Sequence, residues 1–139
     1  MIILDTNVIS EAMAVSPAEQ VARWLRFAPR DELYTTAITE AEMRYGARRM
    51  SLHKKGWELE QIVDRIFTVR FAGRVLAFDS AAARELPAIL IGMQRDLRSH
   101  SRMDAFIAAI ARAHSATVAT RNVNDFERSG VPLVNPWNA

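Results

Sequence analysis

The 139-residue chain contains no cysteine. That absence excludes a disulfide framework, a thiolate metal site and a cysteine nucleophile. No apolar run approaches the roughly 20 residues that span a bilayer, so no contact with a membrane is expected. The first ten residues carry an acid at Asp5 and no basic leader, which argues against a signal peptide and favours the cytoplasm.

Two nucleotide-binding motifs are missing as well. Neither G-x-G-x-x-G nor G-x-x-x-x-G-K-[ST] occurs in the chain, which disfavours dinucleotide binding and P-loop chemistry. The three histidines, His53, His100 and His114, lack the spacing of a zinc site. Half of the residues are hydrophobic, which excludes a disordered chain and predicts one folded domain over residues 1–139.

The net charge gives little information about partners. The 18 basic and 16 acidic side chains sum to +2, which is too small to bind nucleic acid by bulk charge alone. All the basic residues except Lys54 and Lys55 are arginines, the side chain best suited to bidentate phosphate contacts. Composition therefore leaves nucleic acid open as a partner.

Short apolar or β-branched runs alternate with longer helical patterns. The predicted strands cover 2–4, 33–36, 75–78, 117–120 and 133–134. The predicted helices begin with one at Pro17 and continue over 38–50, 52–71, 80–98 and 101–114. In the helix predicted over 52–71, one apolar face is expected to hold Leu59, Ile62, Val63, Ile66 and Phe67, and in the next helix Pro87 predicts a kink or break. This alternation predicts an α/β fold with a mostly parallel sheet of four to five strands and helices on both faces.

Four carboxylates occupy comparable places relative to the predicted strands. Asp5 follows the first strand into a polar loop, and Glu42 lies in the helix after the second. Asp104 lies early in the helix that precedes the fourth strand, and Asp125 lies just past that strand. Because parallel sheets bind ligands beyond the carboxyl ends of their strands, the four side chains are expected to lie together.

Helix capping is the competing explanation for three of these acids. Each follows a potential capping residue by three positions, as in a capping box. The three pairs are Thr39 with Glu42, Ser101 with Asp104, and Asn122 with Asp125. Asp5 has no such explanation, because no helix is predicted directly after it, and Asp79 is interpreted as an ordinary N-cap. The joint occurrence of four acids favours a functional site.

A cluster of four carboxylates needs a cation. Two ionised carboxylates about 5 Å apart repel by roughly 3 kcal/mol at an effective dielectric constant of 20. Oxygen ligands without cysteine or paired histidine favour Mg²⁺ or Mn²⁺, and such a site suits phosphodiester hydrolysis. Four polar neighbours are candidates for orienting the carboxylates or bound water: Thr6, Asn7, Thr120 and Asn122.

Basic side chains flank two of the acids. The group beside Glu42 comprises Arg44, Arg48, Arg49, Lys54 and Lys55, and the group beside Asp104 comprises Arg95, Arg98 and Arg102. A solvated helix face explains both groups, whereas an acidic nuclease site would give them a role in guiding RNA phosphates.

Four segments together resemble the PIN-domain family, and more closely VapC toxins of the FitB-like branch. The segments are MIILDTNVISEAM, AITEAEMRYGARRM, SRMDAFIAAIARAHSATVATRNVNDF and VPLVNPW. The resemblance implies a three-layer α/β/α PIN-like fold and a Mg²⁺- or Mn²⁺-dependent ribonuclease. It assigns the acidic catalytic and metal-binding positions to Asp5, Glu42 and Asp104. The fourth position falls on Asp125 or on the place of Asn122, where the FitB-like pattern has an Asp; Asp125 is preferred.

The same resemblance implies partners. Toxins of this kind are encoded beside a VapB- or FitA-like antitoxin with a DNA-binding domain, and they form homodimers or higher-order toxin–antitoxin assemblies. The apolar helices between residues 38 and 71 are candidates for these contacts. Two alternatives remain open: a catalytically degenerate PIN-fold binding module, and a DNA-cleaving nuclease of the same fold.

Overall fold

A five-stranded parallel sheet forms the centre of the protein. The computed structural model describes residues 1–52, 56–93 and 99–139. The strands are β1 (Ile2–Leu4), β2 (Leu33–Thr36), β3 (Val75–Leu76), β4 (Thr117–Ala119) and β5 (Leu133–Val134). They lie in the order β3-β2-β1-β4-β5, and every neighbouring pair is parallel. The predicted α/β fold is therefore confirmed.

Helices connect the strands. They are α1 (Thr6–Ala12), α2 (Glu19–Phe27), α3 (Ala37–Ser51), α4 (Gly56–Arg65), α5 (Ser80–Gly92), α6 (Ser99–Ala113) and α7 (Val123–Phe126). A π-helical segment, Ile66–Arg70, continues α4, and short 3₁₀ turns cover Arg30–Glu32 and Glu127–Ser129. Within the described ranges, no helix has the length and apolarity needed to cross a membrane.

Both faces of the sheet are buried, which explains why its central strands are continuously apolar. In β1, Ile3 packs into the core formed with α5 and α6, whereas the next residue, Leu4, packs into the core formed with α1, α3 and α4. In β4, Val118 and Ala119 divide between the two cores in the same way. Successive strand residues point to opposite faces, so both must be apolar when helices cover both sides.

The structure corrects two predictions about helices. Helix α5 runs through Pro87, so the predicted break is wrong, whereas the alternative, a kink, stays a prediction. Pro87 lacks the N–H that would bond to the carbonyl of Ala83, but Ala82 and Ile89 are buried on either side of it, so packing maintains the helix. The residues after Asp5 form α1 rather than a polar loop, because Asp5 caps this helix and the helix buries its own Val8 and Ile9.

The amphipathic stretch predicted over 52–71 is confirmed in part. Val63, Ile66 and Phe67 are buried, and Leu59 packs against the same core. Ile62 is an exception: it is 51% exposed and lines a surface groove. Residues 53–55 of this stretch, and residues 94–98 of the helix predicted over 80–98, lie outside the described residues.

The strand order places a topological switch point at the centre of the sheet. From β1 the chain moves outward to β2 and β3, then returns to the other side of β1 to form β4 and β5. The connections after β1 and β4 therefore leave in opposite directions. The crevice beyond their carboxyl ends is the usual ligand site of an open parallel sheet.

Truncating a buried isoleucine tests this assignment of the core. Ile110 in α6 is fully buried, whereas Ile91 in α5 is 72% exposed. We expect Ile110→Ala to lower the free energy of unfolding by about 3 kcal/mol, because it removes buried methyl groups and leaves a cavity. The matched Ile91→Ala variant should change it by less than about 0.5 kcal/mol. Urea unfolding followed by circular dichroism measures both, and equal losses would contradict the packing described.

Candidate active site

Asp5 lies at the switch point and is 4% exposed. Its backbone N–H donates to the carbonyl of Ala119 at 3.0 Å, which ties the ends of β1 and β4 together. Its Oδ1 accepts a hydrogen bond from the Thr6 N–H at 2.8 Å. Its Oδ2 accepts one from Thr120 Oγ1 at 2.8 Å and one from Asn7 Nδ2 at 3.1 Å. The carboxylate is therefore held in one orientation from three directions.

The Thr120 hydroxyl organises this network. It donates its hydrogen to Asp5 and accepts from Asn7 Nδ2 at 3.4 Å and from the Asn122 N–H at 3.0 Å. One donor hydrogen and two lone pairs are the full capacity of a hydroxyl, so its orientation is determined. Three of the predicted polar neighbours, Thr6, Asn7 and Thr120, thus contact Asp5 directly, whereas the side chain of Asn122 is exposed.

Glu42 reaches the same site from α3. Its Oε1 accepts a hydrogen bond from Thr6 Oγ1 at 3.3 Å. The predicted capping box from Thr39 to Glu42 is wrong, because Thr36 is the N-cap and its Oγ1 accepts from the Thr39 N–H at 3.1 Å. Glu42 consequently lies beyond the first turn of α3, and helix capping does not account for it.

Asp104 projects from α6. This helix begins at Ser99, so Ser101 is inside it and the predicted capping box from Ser101 to Asp104 is wrong. Burial raises the pKa of the half-buried Asp104 carboxyl to about 8, and the negative charges of Asp5, Asp125 and Glu42 contribute to the rise. The carboxyl of Asp104 is thus within electrostatic range of all three other predicted acids.

Asp125 joins the group from α7. Asn122 is the N-cap residue of α7, but its side chain makes no capping hydrogen bond, so a complete capping box does not form. The negative charge of Asp125 raises the pKa of Asp104 and of Asp5. Of the two candidates for the fourth position, Asp125 supplies the charge that the other carboxylates experience.

Burial and mutual repulsion also act on Asp5 and Glu42. Burial raises the pKa of Asp5 above its usual value, although its hydrogen bonds from Thr120, Thr6 and Asn7 oppose the rise. Burial also raises the pKa of Glu42, the charge of Asp5 adds to it, and the hydrogen bond from Thr6 opposes it. In the described ranges no three His, Asp or Glu side chains converge closely enough to form a finished metal site. Repulsion among uncompensated carboxylates opposes such convergence.

Comparison with known proteins agrees with this geometry. The PIN domain family matches residues 2–131. The chain belongs to the PIN-domain family. It is 38% identical to Toxin FitB of Neisseria gonorrhoeae, covering 99% of each chain, and 36% identical to VapC ribonuclease Y4jK of Sinorhizobium fredii, covering 99% and 98%. A solved structure of FitAB bound to a DNA fragment superposes with a TM-score of 0.86 at 39% identity, covering 99% of this chain and 96% of the other.

The basic groups flanking the site of this PIN domain have several different contacts. Arg44 pairs with Glu40 at 2.7 Å and with Asp64 at 3.0 Å, and Arg48 pairs with Glu60. The pairs to Asp64 and Glu60 fasten α4 to α3. Arg49 lies over the ring of Tyr45, and Arg102 is exposed on α6. Lys54, Lys55, Arg95 and Arg98 lie outside the described residues. A role in guiding RNA stays a prediction for these side chains.

The prediction that Asp79 is an N-cap is confirmed. Its Oδ1 accepts a hydrogen bond from the Ala82 N–H at 3.0 Å at the start of α5. Arg121, absent from the predicted set, donates its backbone N–H to Asn7 Oδ1 at 3.0 Å. The available signal was its place directly after Thr120 at the end of a central strand.

Replacing Asp104 with Asn should stabilise the metal-free PIN domain. The raised pKa means that the folded protein holds a proton that the unfolded chain, in which an Asp carboxyl has its ordinary pKa of 3.8, releases. The free energy of unfolding of the wild type therefore falls as pH rises from about 4 to about 8. At about pH 8 we expect Asp104→Asn to be more stable by about 1–2 kcal/mol, a figure reduced for solvent screening, and at about pH 5 by much less.

Thermal unfolding in EDTA measures this difference. Asp79→Asn is the matched control, because it also replaces a carboxylate that follows a strand and because Asn is an effective N-cap. Its difference from wild type should not grow with pH. A constant difference between Asp104→Asn and wild type across this pH range would contradict the raised pKa of Asp104.

Proposed function

We propose that this PIN domain is a metal-dependent endoribonuclease and the toxin of a VapBC-like toxin–antitoxin system. The observation that carries the proposal is that Thr6 contacts both Asp5 and Glu42 at the switch point of the sheet. Asp104 belongs to the same group, because burial raises its pKa and the charges of Asp5, Asp125 and Glu42 add to the rise. The names of its relatives, Toxin FitB and VapC ribonuclease, support the same class of activity.

The residues suit a hard divalent cation, Mg²⁺ or Mn²⁺. Their oxygen donors match its ligand preference, and the raised pKa values of Asp5, Glu42 and Asp104 reflect in part a repulsion that a cation would relieve. Asp5, Glu42, Asp104 and Asp125 would hold it. A bound divalent ion lowers the pKa of water and stabilises charge on a phosphate.

The protein contributes orientation and charge. Three hydrogen bonds hold the Asp5 carboxylate. Thr6 contacts both Asp5 and Glu42, which restrains the position of one carboxylate relative to the other. The Thr120 hydroxyl is fully buried, and both of its lone pairs accept hydrogen bonds, from Asn7 Nδ2 and from the Asn122 N–H, so it is not placed to attack a phosphate. We assign the attack in the proposed hydrolysis of an RNA phosphodiester bond to water.

An apolar groove provides a place for an antitoxin segment. The groove has a volume of about 970 Å³ and lies between α1, α2 and the π-helical segment. Leu4, Ile9, Leu25 and Phe71 contribute apolar surface to it, and Arg30, Arg65 and Arg70 contribute exposed positive charge. We expect the antitoxin to offer apolar side chains with acidic neighbours. A pairing of two toxin chains also stays a prediction.

Removing one site carboxylate tests the proposed nuclease. We expect Asp5→Asn and Asp104→Asn each to reduce cleavage of random-sequence RNA in Mn²⁺ by about 100-fold or more, because each removes negative charge required to hold the cation. Asp79→Asn should cleave at nearly the wild-type rate. Gel analysis of the labelled RNA measures the rates, and a DNA strand of random sequence tests the DNA-cleaving alternative.

Calorimetric titration with Mn²⁺ separates an enzyme from a degenerate binding module. Wild type should give a binding heat that Asp5→Asn abolishes and Asp79→Asn retains. RNA cleavage that persists in Asp5→Asn and Asp104→Asn would overturn the proposed mechanism. Absence of any Mn²⁺ binding heat in the wild type would favour the degenerate module.

A substitution in the groove tests the antitoxin contact. We expect the neighbouring reading frame to encode a small DNA-binding protein that inhibits RNA cleavage by this chain. Val69, 68% exposed in the π-helical segment, lines the groove. Val69→Asp should keep cleavage and weaken inhibition by about 10-fold or more, because the new carboxylate would repel the acidic side chains expected on the antitoxin and would lose water on binding. The matched Ile91→Asp variant should be inhibited like wild type, and equal inhibition of both variants would contradict this placement.

A further inference from the structure

Arg121 lies just beyond the carboxyl end of β4, at the same end of the sheet as the four carboxylates. It directly follows Thr120, whose hydroxyl donates to Asp5, and it is exposed. Its backbone N–H donates to Asn7 Oδ1 at 3.0 Å, and Asn7 Nδ2 in turn donates to Asp5 Oδ2. The network that orients Asp5 therefore also determines where the backbone of Arg121 lies.

The end of the chain places an aromatic ring against this arginine. The Thr120 N–H donates to the carbonyl of Val134 at 3.0 Å, so the segments after β4 and β5 leave the sheet side by side. Asn135 Oδ1 then accepts from the Trp137 N–H at 3.0 Å, which forms a tight turn. Trp137 packs against the core that includes Leu4. The Asn135-Pro136-Trp137 turn thus determines the position of the Trp137 ring.

The guanidinium of Arg121 lies over that ring, 5.1 Å from its centroid. Stacking on an aromatic face restrains the side chain and leaves the N–H groups in the guanidinium plane free to donate. Across the residues that the structure describes, Arg121 has no carboxylate within ion-pair distance, in contrast to Arg44, Arg48 and Arg112. Its positive charge is thus restrained in position without being neutralised by an ion pair.

We propose that Arg121, stacked on Trp137, binds a backbone phosphate of RNA adjacent to the phosphate that is cut; this inference rests on the proposed ribonuclease function. A planar guanidinium donates to two phosphate oxygens at once, and stacking reduces the freedom lost on binding. The favourable contact between this phosphate and Arg121 would offset the repulsion between the RNA and the neighbouring acids. Trp137 acts as a positioning residue through Arg121.

The salt dependence of cleavage tests the proposal. Each phosphate contact to single-stranded nucleic acid contributes about 0.7 to the slope of log affinity against log salt concentration. With random-sequence RNA in Mn²⁺, we expect Arg121→Ala to raise KM by about 10-fold with a much smaller change in kcat, and to reduce the slope of kcat/KM by about 0.7. Trp137→Leu should raise KM by a smaller factor.

Two further variants separate phosphate binding from a structural role. Arg121→Lys retains the charge and should restore the salt slope but only part of the affinity. An ammonium cannot donate two parallel hydrogen bonds to a phosphate and stacks less well on an aromatic ring. Arg26→Ala removes an exposed arginine from the last turn of α2, a helix that precedes β2 in the chain and contributes none of the four acids, and should leave both KM and slope unchanged.

The outcomes are distinguishable. A wild type that cleaves RNA while Arg121→Ala matches Arg26→Ala overturns the role of Arg121 and leaves the proposed function standing. A reduced kcat/KM with an unchanged salt slope and a lowered unfolding temperature means that Arg121 only covers Trp137, which also overturns the proposal. A wild type that cleaves no RNA overturns the proposed function and this inference together.

Discussion

The hydrogen bond from Thr120 Oγ1 to Asp5 Oδ2, at 2.8 Å, joins the ends of the two strands at the switch point of the sheet. The rest of the candidate site is arranged around it. The same hydroxyl accepts from Asn7 and from the backbone of Asn122, so β1, α1 and the segment after β4 share one buried network. Buried polar groups are costly unless fully paired, and here the pairing holds a carboxylate in place.

The hydrogen bonds of this network stabilise the Asp5 carboxylate, whereas repulsion from the other acids destabilises it. Asp5 is 4% exposed and accepts three hydrogen bonds, yet burial raises its pKa and the charge of Asp125 adds to the rise. Burial likewise raises the pKa of Glu42 and of Asp104, and the charge of Asp5 adds to both. Several carboxylates held close together at one end of a sheet repel one another and destabilise the folded protein unless a cation binds. A purely structural cap such as Asp79 needs no such neighbours, and its hydrogen bond to the Ala82 N–H accounts for it.

The sequence pointed to the four acids because Asp5 and Asp125 come just after short apolar strands, and Glu42 and Asp104 lie in helices that connect the strands; their catalytic and metal-binding roles stay a prediction. The capping explanations for Glu42 and Asp104 were wrong for a local reason: α3 begins after Thr36 and α6 at Ser99, one or more residues before the expected starts. Helix boundaries are poorly determined by sequence, because Thr and Ser several residues apart have similar capping ability. The capping role of Asp5 was missed because α1 is short and its apolar signal is confined to Val8 and Ile9.

The near-neutral composition has a simple explanation in this arrangement. Without the four acids, 18 basic and 12 acidic side chains remain, a net charge of +6. The sequence alone determined the alternation of strands and helices, the α/β class and the places of the four acids relative to these elements, since these depend on residues within a few positions of one another. Only the tertiary structure decided that four acids share one electrostatic field and that Trp137 lies beneath Arg121. Both depend on the order and register of parallel strands, which bring together residues more than a dozen positions apart.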